Sequence, residues 1–106
     1  MPHTIPPERI YIAGPMTGLP DFNFPAFNAM ALHLRSLGFE ALNPAELGMP
    51  NGLPWCTYMR PALGLLLRSD SVMLLNGWTS SKGAKLEWTV AQALQMQLYY
   101  EGTDFT

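Results

Sequence analysis

Four short apolar segments alternate with three segments of helical periodicity along this chain of 106 residues. The apolar segments predict strands at residues 10–13, 39–42, 71–75 and 98–100. Between them, apolar residues recur at i, i+3, i+4 and i+7, which predicts helices at residues 25–37, 55–68 and 84–95. Strands that alternate with helices form a parallel sheet with helices packed on its faces. The chain is therefore predicted to be an α/β protein.

The predicted strand order in this sheet is 2-1-3-4, with helices on both faces in a three-layer, flavodoxin-like arrangement. In that order the chain changes direction between strands 1 and 3. Ligands of open α/β sheets bind at such a switch point, beyond the carboxyl ends of the strands. We therefore expect a crevice between the loops that follow strands 1 and 3.

The length of the chain suits one hydrophobic core. We expect a tail at residues 1–8, which holds three prolines, and a single domain at residues 9–106. Charged residues make up 13% of the chain, about half the usual fraction. A surface this poor in charge predicts a covered face, and we expect a homodimer or a higher homo-oligomer.

Charge and cysteine content exclude several classes of partner. A net charge of −2 and six dispersed Lys and Arg residues do not form the basic stripe that a nucleic-acid polymer requires. One cysteine and two histidines predict neither a disulfide nor a metal site, and they fit a reducing cytoplasm. No apolar run reaches the length of a membrane span, and the N-terminus lacks the apolar core of a signal peptide. We expect a cytoplasmic protein without a cofactor, whose partner is a small molecule.

The two loops at the predicted switch point are rich in small and hydroxyl side chains. The first contributes the candidate ligand-binding residues Gly14, Pro15, Met16, Thr17, Gly18 and Asp21. The second contributes Trp78, Ser81, Lys82 and Gly83. Free N–H groups at the start of the following helix favour an anion, so the loops could hold a phosphate or sugar hydroxyls. The alternative is ordinary turn chemistry, which uses the same residue types.

Glu87 and Tyr11 are the candidate catalytic residues. Glu87 follows Gly83 by four residues, in the predicted first turn of helix 3, where the helix dipole would keep a nucleophile or base ionised. The alternative is that Glu87 only complements that dipole. Tyr11 lies in strand 1, and a buried tyrosine needs a partner for its hydroxyl. Glu87 is the predicted partner.

Three segments of the chain resemble a known family. They are YIAGPMTG, the pattern W-x-x-Y-M-R, and SDSVMLLNGW followed by SKGAKLE. Together they resemble the small phage and bacterial proteins of the DUF4406 family over residues 9–101. That family is in turn similar to nucleoside 2-deoxyribosyltransferases and to deoxyribonucleoside 5′-monophosphate N-glycosidases. The similarity to the enzymes rests on the two loops and Glu87.

The resemblance implies cleavage or transfer of the N-glycosidic bond of a 2′-deoxyribonucleotide or deoxyribonucleoside. A glutamate matching Glu87 would attack the anomeric carbon, and a tyrosine matching Tyr11 would orient it. Ser81 matches a serine that helps to bind a 5′-phosphate in the monophosphate hydrolases, whereas the nucleoside transferases carry an aspartate there. Ser81 and Lys82 at a helix start also suit an anion, so the comparison favours the monophosphate branch.

Ala62 departs from the pattern of both groups of enzymes. They carry an aspartate at this position in helix 2, eight residues before Asp70, where it binds the sugar or protonates the leaving base. An alanine side chain can do neither, and general acid assistance is worth roughly 10²–10⁴ in rate. The alternative prediction is a nucleotide-binding module without catalysis on the same fold.

Overall fold

The computed structural model describes residues 5–50 and 52–105. Its four strands are β1 (Arg9–Ala13), β2 (Glu40–Leu42), β3 (Ser71–Leu74) and β4 (Gln97–Tyr100). Its three α-helices are α1 (Phe24–Ser36), α2 (Trp55–Leu67) and α3 (Lys82–Ala93). The predicted alternation of strands and helices is confirmed, with ends shifted by one or two residues.

All strand pairs are parallel, and the sheet order β2-β1-β3-β4 is the predicted one. Strands β1 and β3 lie in the centre, where Tyr11 pairs with Val72 and Ala13 with Leu74. Each central strand reads as a nearly continuous apolar run because both of its faces are buried. The switch point between β1 and β3 is therefore at the predicted place in the chain.

The helices cover the sheet on two faces. On one face α1 buries Phe27, Ala31 and Leu34 against β1 and β3. On the other face, Ala62 and Leu66 of α2 and Ala91 of α3 pack against the alternate residues of the same strands. Because successive strand residues point to opposite faces, Tyr11 and Ala13 face α2 and α3, whereas Ile10 and Ile12 face α1.

Local signals explain most of the helix ends. Gly38 adopts φ +94° just after α1, a conformation that glycine reaches without a steric penalty. Pro61 lies inside α2, beyond its first turn. The loops that were predicted to be irregular contain three short 3₁₀ turns, at Pro20–Asn23, Pro44–Leu47 and Trp78–Ser80.

Three further predictions concern the N-terminal tail, membrane crossing and metal binding. The first four residues of the predicted tail at residues 1–8 lie outside the described residues. No helix within residues 5–50 and 52–105 is long and apolar enough to cross a membrane. Among the same residues, no group of three or more His, Cys, Asp or Glu side chains could hold a metal ion.

Candidate active site

A buried hydrogen bond joins the centre of the sheet to α3. The hydroxyl of Tyr11 in β1 donates to Oε2 of Glu87 in α3. Tyr11 is 1% exposed and Glu87 is 5% exposed, so the pair is almost completely removed from solvent. The interaction between these two side chains that the sequence predicted is therefore present.

The stripe of small residues on α3 explains why a carboxylate lies so deep. The buried residues of this helix are Ala84, Glu87 and Ala91, spaced three and four apart on one face. An alanine one turn on either side of Glu87 lets the helix backbone approach the sheet closely. The carboxylate then lies against the strands, where Tyr11 is its polar partner.

Burial changes the proton affinity of both members of the pair. It raises the pKa of Glu87 from 4.5 to about 7, although the hydrogen bond from Tyr11 acts to lower that pKa. The pKa of Tyr11 is raised well above 10 by burial, then by the charge of Glu87 and by their hydrogen bond. Near neutral pH both protonation states of Glu87 are populated, which suits a general base or a nucleophile.

This result corrects the expected role of the helix dipole. Helix α3 begins at Lys82, two residues before the predicted start, so Glu87 lies in its second turn. The partial positive charge of a helix start falls off within the first turn. Burial, not the dipole, therefore governs the carboxylate, and it favours the neutral form over the ionised one.

The second oxygen of Glu87 has a different environment. Among the described residues, the hydrogen-bond partner of Glu87 is Tyr11, whose hydroxyl donates to Oε2. Among the described residues, no fully buried side-chain oxygen or nitrogen lacks a hydrogen-bond partner. It follows that Oε1 keeps contact with solvent. Oε1 is thus the atom through which Glu87 can meet a reacting group.

Ser81 caps the start of α3 and leaves two backbone N–H groups available as donors. Ser81 is the N-cap residue, and its Oγ accepts from the backbone N–H of Ala84 at 3.1 Å. The N–H of Lys85 donates to the carbonyl of Ser81 at 2.9 Å. Of the four N–H groups that a helix start cannot pair internally, that of Ser81 donates to the carbonyl of Trp78 and that of Ala84 donates to Oγ of Ser81. Those of Lys82 and Gly83 have no acceptor among the described residues and can bind a ligand.

The first two turns of α2 pack directly against the first turn of α3. A Cβ atom at Gly83 would lie 3.0 Å from Sδ of Met59 and 3.6 Å from Nε1 of Trp55. The ammonium of Lys82 lies 4.0 Å from the centroid of the Trp55 ring, a cation–π contact. Because Gly83 and Glu87 share one face of α3, Met59 and Trp55 flank the approach to the carboxylate.

The sequence predicts Met59 as an inward residue of the second helix and Trp55 as an aromatic side chain that could stack on a base or cover the core, but it does not place either beside Glu87. The available signal was Gly83 itself. A glycine in a helix costs roughly 1 kcal/mol relative to alanine, so its presence in a first turn indicates that another element approaches closely.

The two loops of the predicted crevice meet in the structure. A Cβ atom at Gly77 would lie 3.2 Å from Cγ of Pro15, which shows how closely the loops after β1 and β3 approach. Met16 is half-buried, whereas Thr17 and Gly18 are exposed, and a Cβ atom at Gly18 would touch nothing within 4 Å. The backbone at Thr17 and Gly18 is thus open to a ligand.

Trp78 differs from the other candidate residues because its ring is already engaged. It stacks on Trp88 with ring centroids 5.5 Å apart and contacts Tyr100 at 6.2 Å. One face of the indole is therefore covered by α3, and the ring forms part of the packing between α3 and β4.

The structure places Ala62 in the same core cluster as Tyr11, and Ala62 is 8% exposed. Its methyl group thus forms part of the apolar wall beside the Tyr11–Glu87 pair. Asp70 lies at the opposite, amino end of the sheet, where Oδ2 accepts from the backbone N–H of Arg9 at 2.8 Å. It belongs to the framework of the fold.

Two surface depressions lie away from this pair. One, of about 510 Å³, is at the amino end of the sheet beside Arg9, Glu40 and Asp70. The other, of about 420 Å³, lies between His33 of α1 and the segment 102–105. The ionisable side chains of both depressions are exposed. The buried Glu87 is the better candidate because perturbed ionisable groups concentrate at functional sites.

A family model now identifies the chain. It matches residues 8–100 and is described as a domain of unknown function, DUF4406. The chain belongs to the DUF4406 family. No protein of curated function matches the sequence.

Solved structures with the same fold include two enzymes. A 2-deoxyribosyltransferase from Leishmania mexicana superposes with a TM-score of 0.68 at 19% identity, covering 89% of this chain and 63% of that one. A 2-deoxyribosyltransferase from Bacillus psychrosaccharolyticus, described as a biocatalyst for the synthesis of nucleosides, gives a TM-score of 0.68 at 16% identity. That match covers 87% of this chain and 70% of the enzyme. The DUF4406 chain thus has the fold of these transferases and spans less than two thirds of the first one.

Proposed function

We propose that this DUF4406 protein cleaves or transfers the N-glycosidic bond of a 2′-deoxyribonucleoside or its 5′-monophosphate. The observation that carries the proposal is the buried Tyr11–Glu87 pair, with Oε1 of Glu87 left in contact with solvent. The similarity in fold to 2-deoxyribosyltransferases supports the choice of substrate.

In the proposed reaction, Oε1 of Glu87 attacks the anomeric carbon of the deoxyribose. A bond forms between Oε1 and that carbon, and the bond from the carbon to the base nitrogen breaks, with its electron pair leaving on the base. Tyr11 holds Oε2 and fixes the orientation of the carboxylate. Water or a second base then attacks the same carbon and releases Glu87.

The start of α3 supports a 5′-monophosphate as the substrate. The free N–H groups of Lys82 and Gly83 and the positive charge of Lys82 are one helical turn from Glu87. A phosphate is bound well by backbone donors at a helix start with a nearby cation. The Oγ of Ser81 accepts the hydrogen bond from the N–H of Ala84. Its own hydroxyl hydrogen is therefore available to donate to the same phosphate.

Ala62 favours a second candidate function, a nucleotide-binding module without turnover. The apolar wall that Ala62 forms beside Tyr11 offers a leaving base no proton. Binding without chemistry would use the same loops and the same donors of α3.

Chromatography of released base separates the two functions. The purified protein and its Glu87→Gln variant are incubated with the four 2′-deoxynucleosides and their 5′-monophosphates, with and without a second free base. We expect release or exchange of base by the protein and none by the variant, because the amide keeps the shape but loses nucleophilicity. Thermal stabilisation by a nucleotide without any release would contradict the catalytic proposal and support the binding module. Equal release by the protein and the variant would contradict the role of Glu87.

A further inference from the structure

One lysine at the start of α3 is held by an aromatic ring. The chain has six Lys and Arg residues, and all of them lie within the described residues. Arg9 and Arg35 pair with carboxylates, whereas the ammonium of Lys82 lies 4.0 Å from the centroid of the Trp55 ring. Asp21, the candidate acid of the first loop, is exposed and forms no ion pair with this ammonium. No carboxylate of the described residues therefore neutralises the charge of Lys82.

The Trp55 ring is supported by α3 and by the loop that precedes α2. Its Nε1 lies 3.6 Å from the position that a Cβ atom of Gly83 would take. The Sδ atom of Met59, one turn further along α2, lies 3.0 Å from the same position. The hydroxyl of Tyr58 donates to the carbonyl of Pro50, which ties the preceding loop to the start of α2. The indole is therefore a supported platform, although it is 37% exposed.

This platform lies at the opening of the crevice that leads to Glu87. Gly83 and Glu87 are four residues apart and share one face of α3, so the ring that contacts Gly83 is one helical turn from the carboxylate. Trp55 and Ala62 are seven residues apart on one face of α2, and Ala62 belongs to the core cluster of Tyr11. One wall of the crevice thus runs along α2 from the buried pair outward to the indole.

The donors at this opening suit a phosphate dianion. The backbone N–H groups of Lys82 and Gly83 have no acceptor among the described residues. An ammonium carries three N–H donors, and a ring on one side of it leaves the other side open to an anion. Lys82 therefore supplies a backbone donor and a positive charge to the same phosphate. The uncharged 5′-hydroxyl of a nucleoside gains little from that charge.

We infer that Trp55 is a positioning residue that sets the preference of this site for a 5′-monophosphate over a nucleoside, because its ring holds the ammonium of Lys82 where the phosphate binds. The inference rests on the substrate site of the proposed function. A lysine side chain loses rotamer entropy when its ammonium is fixed. Since the ring holds the ammonium before the ligand arrives, less entropy is lost on binding.

The test measures binding, so it does not depend on turnover. Every protein carries Glu87→Gln to keep the ligand intact, and calorimetry gives Kd for the four 2′-deoxynucleosides and for their 5′-monophosphates. The ratio of the two Kd values for each base is the phosphate preference. Trp55→Leu removes the aromatic ring, Trp55→Phe retains one, and Lys82→Met removes the charge. Lys85→Met is the matched control, because Lys85 is an exposed lysine at the start of the same helix without a ring beneath its ammonium.

We expect the monophosphate to bind more tightly than the nucleoside by about tenfold or more, and Lys82→Met to remove most of this preference. Trp55→Leu lowers the preference by about two- to fivefold, the size of an exposed cation–π contact, and Trp55→Phe retains most of it. Trp55→Leu adds nothing in the Lys82→Met protein, because the ring acts through the ammonium. Lys85→Met changes the preference by less than about twofold, since solvent and salt screen an exposed charge.

Equal weakening of nucleoside and monophosphate by Trp55→Leu would overturn the inference and would assign the ring to the base or the sugar. Additive effects of Trp55→Leu and Lys82→Met would also overturn it. An unchanged preference in Lys82→Met, or no preference in the protein that retains both residues, would overturn it whether or not the Trp55 variants fold. The proposed function fails separately, when the protein with its native Glu87 releases no base. A phosphate preference that depends on Trp55 would then remain and would belong to the binding module.

Discussion

Replacing Glu87 by glutamine stabilises the fold above neutral pH. The folded protein holds the pKa of Glu87 at about 7, against 4.5 for an unburied glutamate. Between these two values the folded state binds a proton that the unfolded chain has already lost. The contribution of Glu87 to stability is therefore greatest below pH 4.5, falls as the pH rises towards 7, and stays constant above it.

The size of this effect follows from the shift in pKa. Each unit is worth about 1.4 kcal/mol, so the ionised carboxylate costs the folded state about 3 kcal/mol at pH 8. The group is 5% exposed, so solvent does little to reduce this cost. An uncharged amide of the same shape can accept the hydrogen bond from Tyr11 without that cost. A total stability of 5–15 kcal/mol is typical of small proteins, so a change of this size is readily measured.

Urea denaturation at pH 5 and pH 8 measures the difference directly. Part of the effect is already present at pH 5, so the unaltered protein is expected to lose about 2.5 kcal/mol more than Glu87→Gln between these two pH values. Other titrating groups are common to both proteins and cancel in the comparison. Equal pH dependence in the two proteins would refute the reasoning that burial controls the charge of Glu87.

Two further substitutions test the surroundings of Glu87. Tyr11→Phe removes a hydrogen bond that lowers the pKa of Glu87, so the acid limb of the pH profile of kcat/KM moves up by about 1–2 units; an unmoved limb would contradict the contact. Gly14→Ala destabilises the fold, because its Cβ would lie 2.8 Å from Cβ of the buried Leu75. A cost of about 1–3 kcal/mol in urea denaturation is expected for such overpacking. The control Gly64→Ala meets nothing within 4 Å inside α2 and should be neutral or stabilising, so equal effects of the two changes would argue against this packing.

The order of elements and the sheet topology could be predicted because both depend on local patterns. The run at Ser71–Leu74 is apolar at nearly every position and so indicates a central strand, while the spacing of Phe27, Ala31 and Leu34 indicates a helix. Alternation of the two then leaves few possible topologies. The prediction of a homo-oligomer remains a prediction. The helical period of α2 predicts Leu66 and Leu67 as inward residues; Leu66 is buried, but Leu67 is exposed because successive helix residues point about 100° apart.

Other features depend on contacts between distant parts of the chain. The start of α3 was placed two residues late because Gly83 is a poor helix former, and its compensation is the close approach of Met59. The raised pKa of Glu87 follows from packing against the sheet, which no local pattern displays. The left-handed angles at Asp21 and Phe22 occur without a glycine, so the usual signal for such a turn is missing.

The configuration of a trapped product tests the central claim most directly. In the presence of methanol, a 2′-deoxynucleoside or its 5′-monophosphate is converted to a methyl deoxyriboside, and NMR reports its anomeric configuration. Attack by Glu87 on the anomeric carbon, followed by attack of methanol, inverts that carbon twice, so the account predicts retention. An inverted product would contradict a covalent role for Glu87 and would leave it as a base that activates the acceptor.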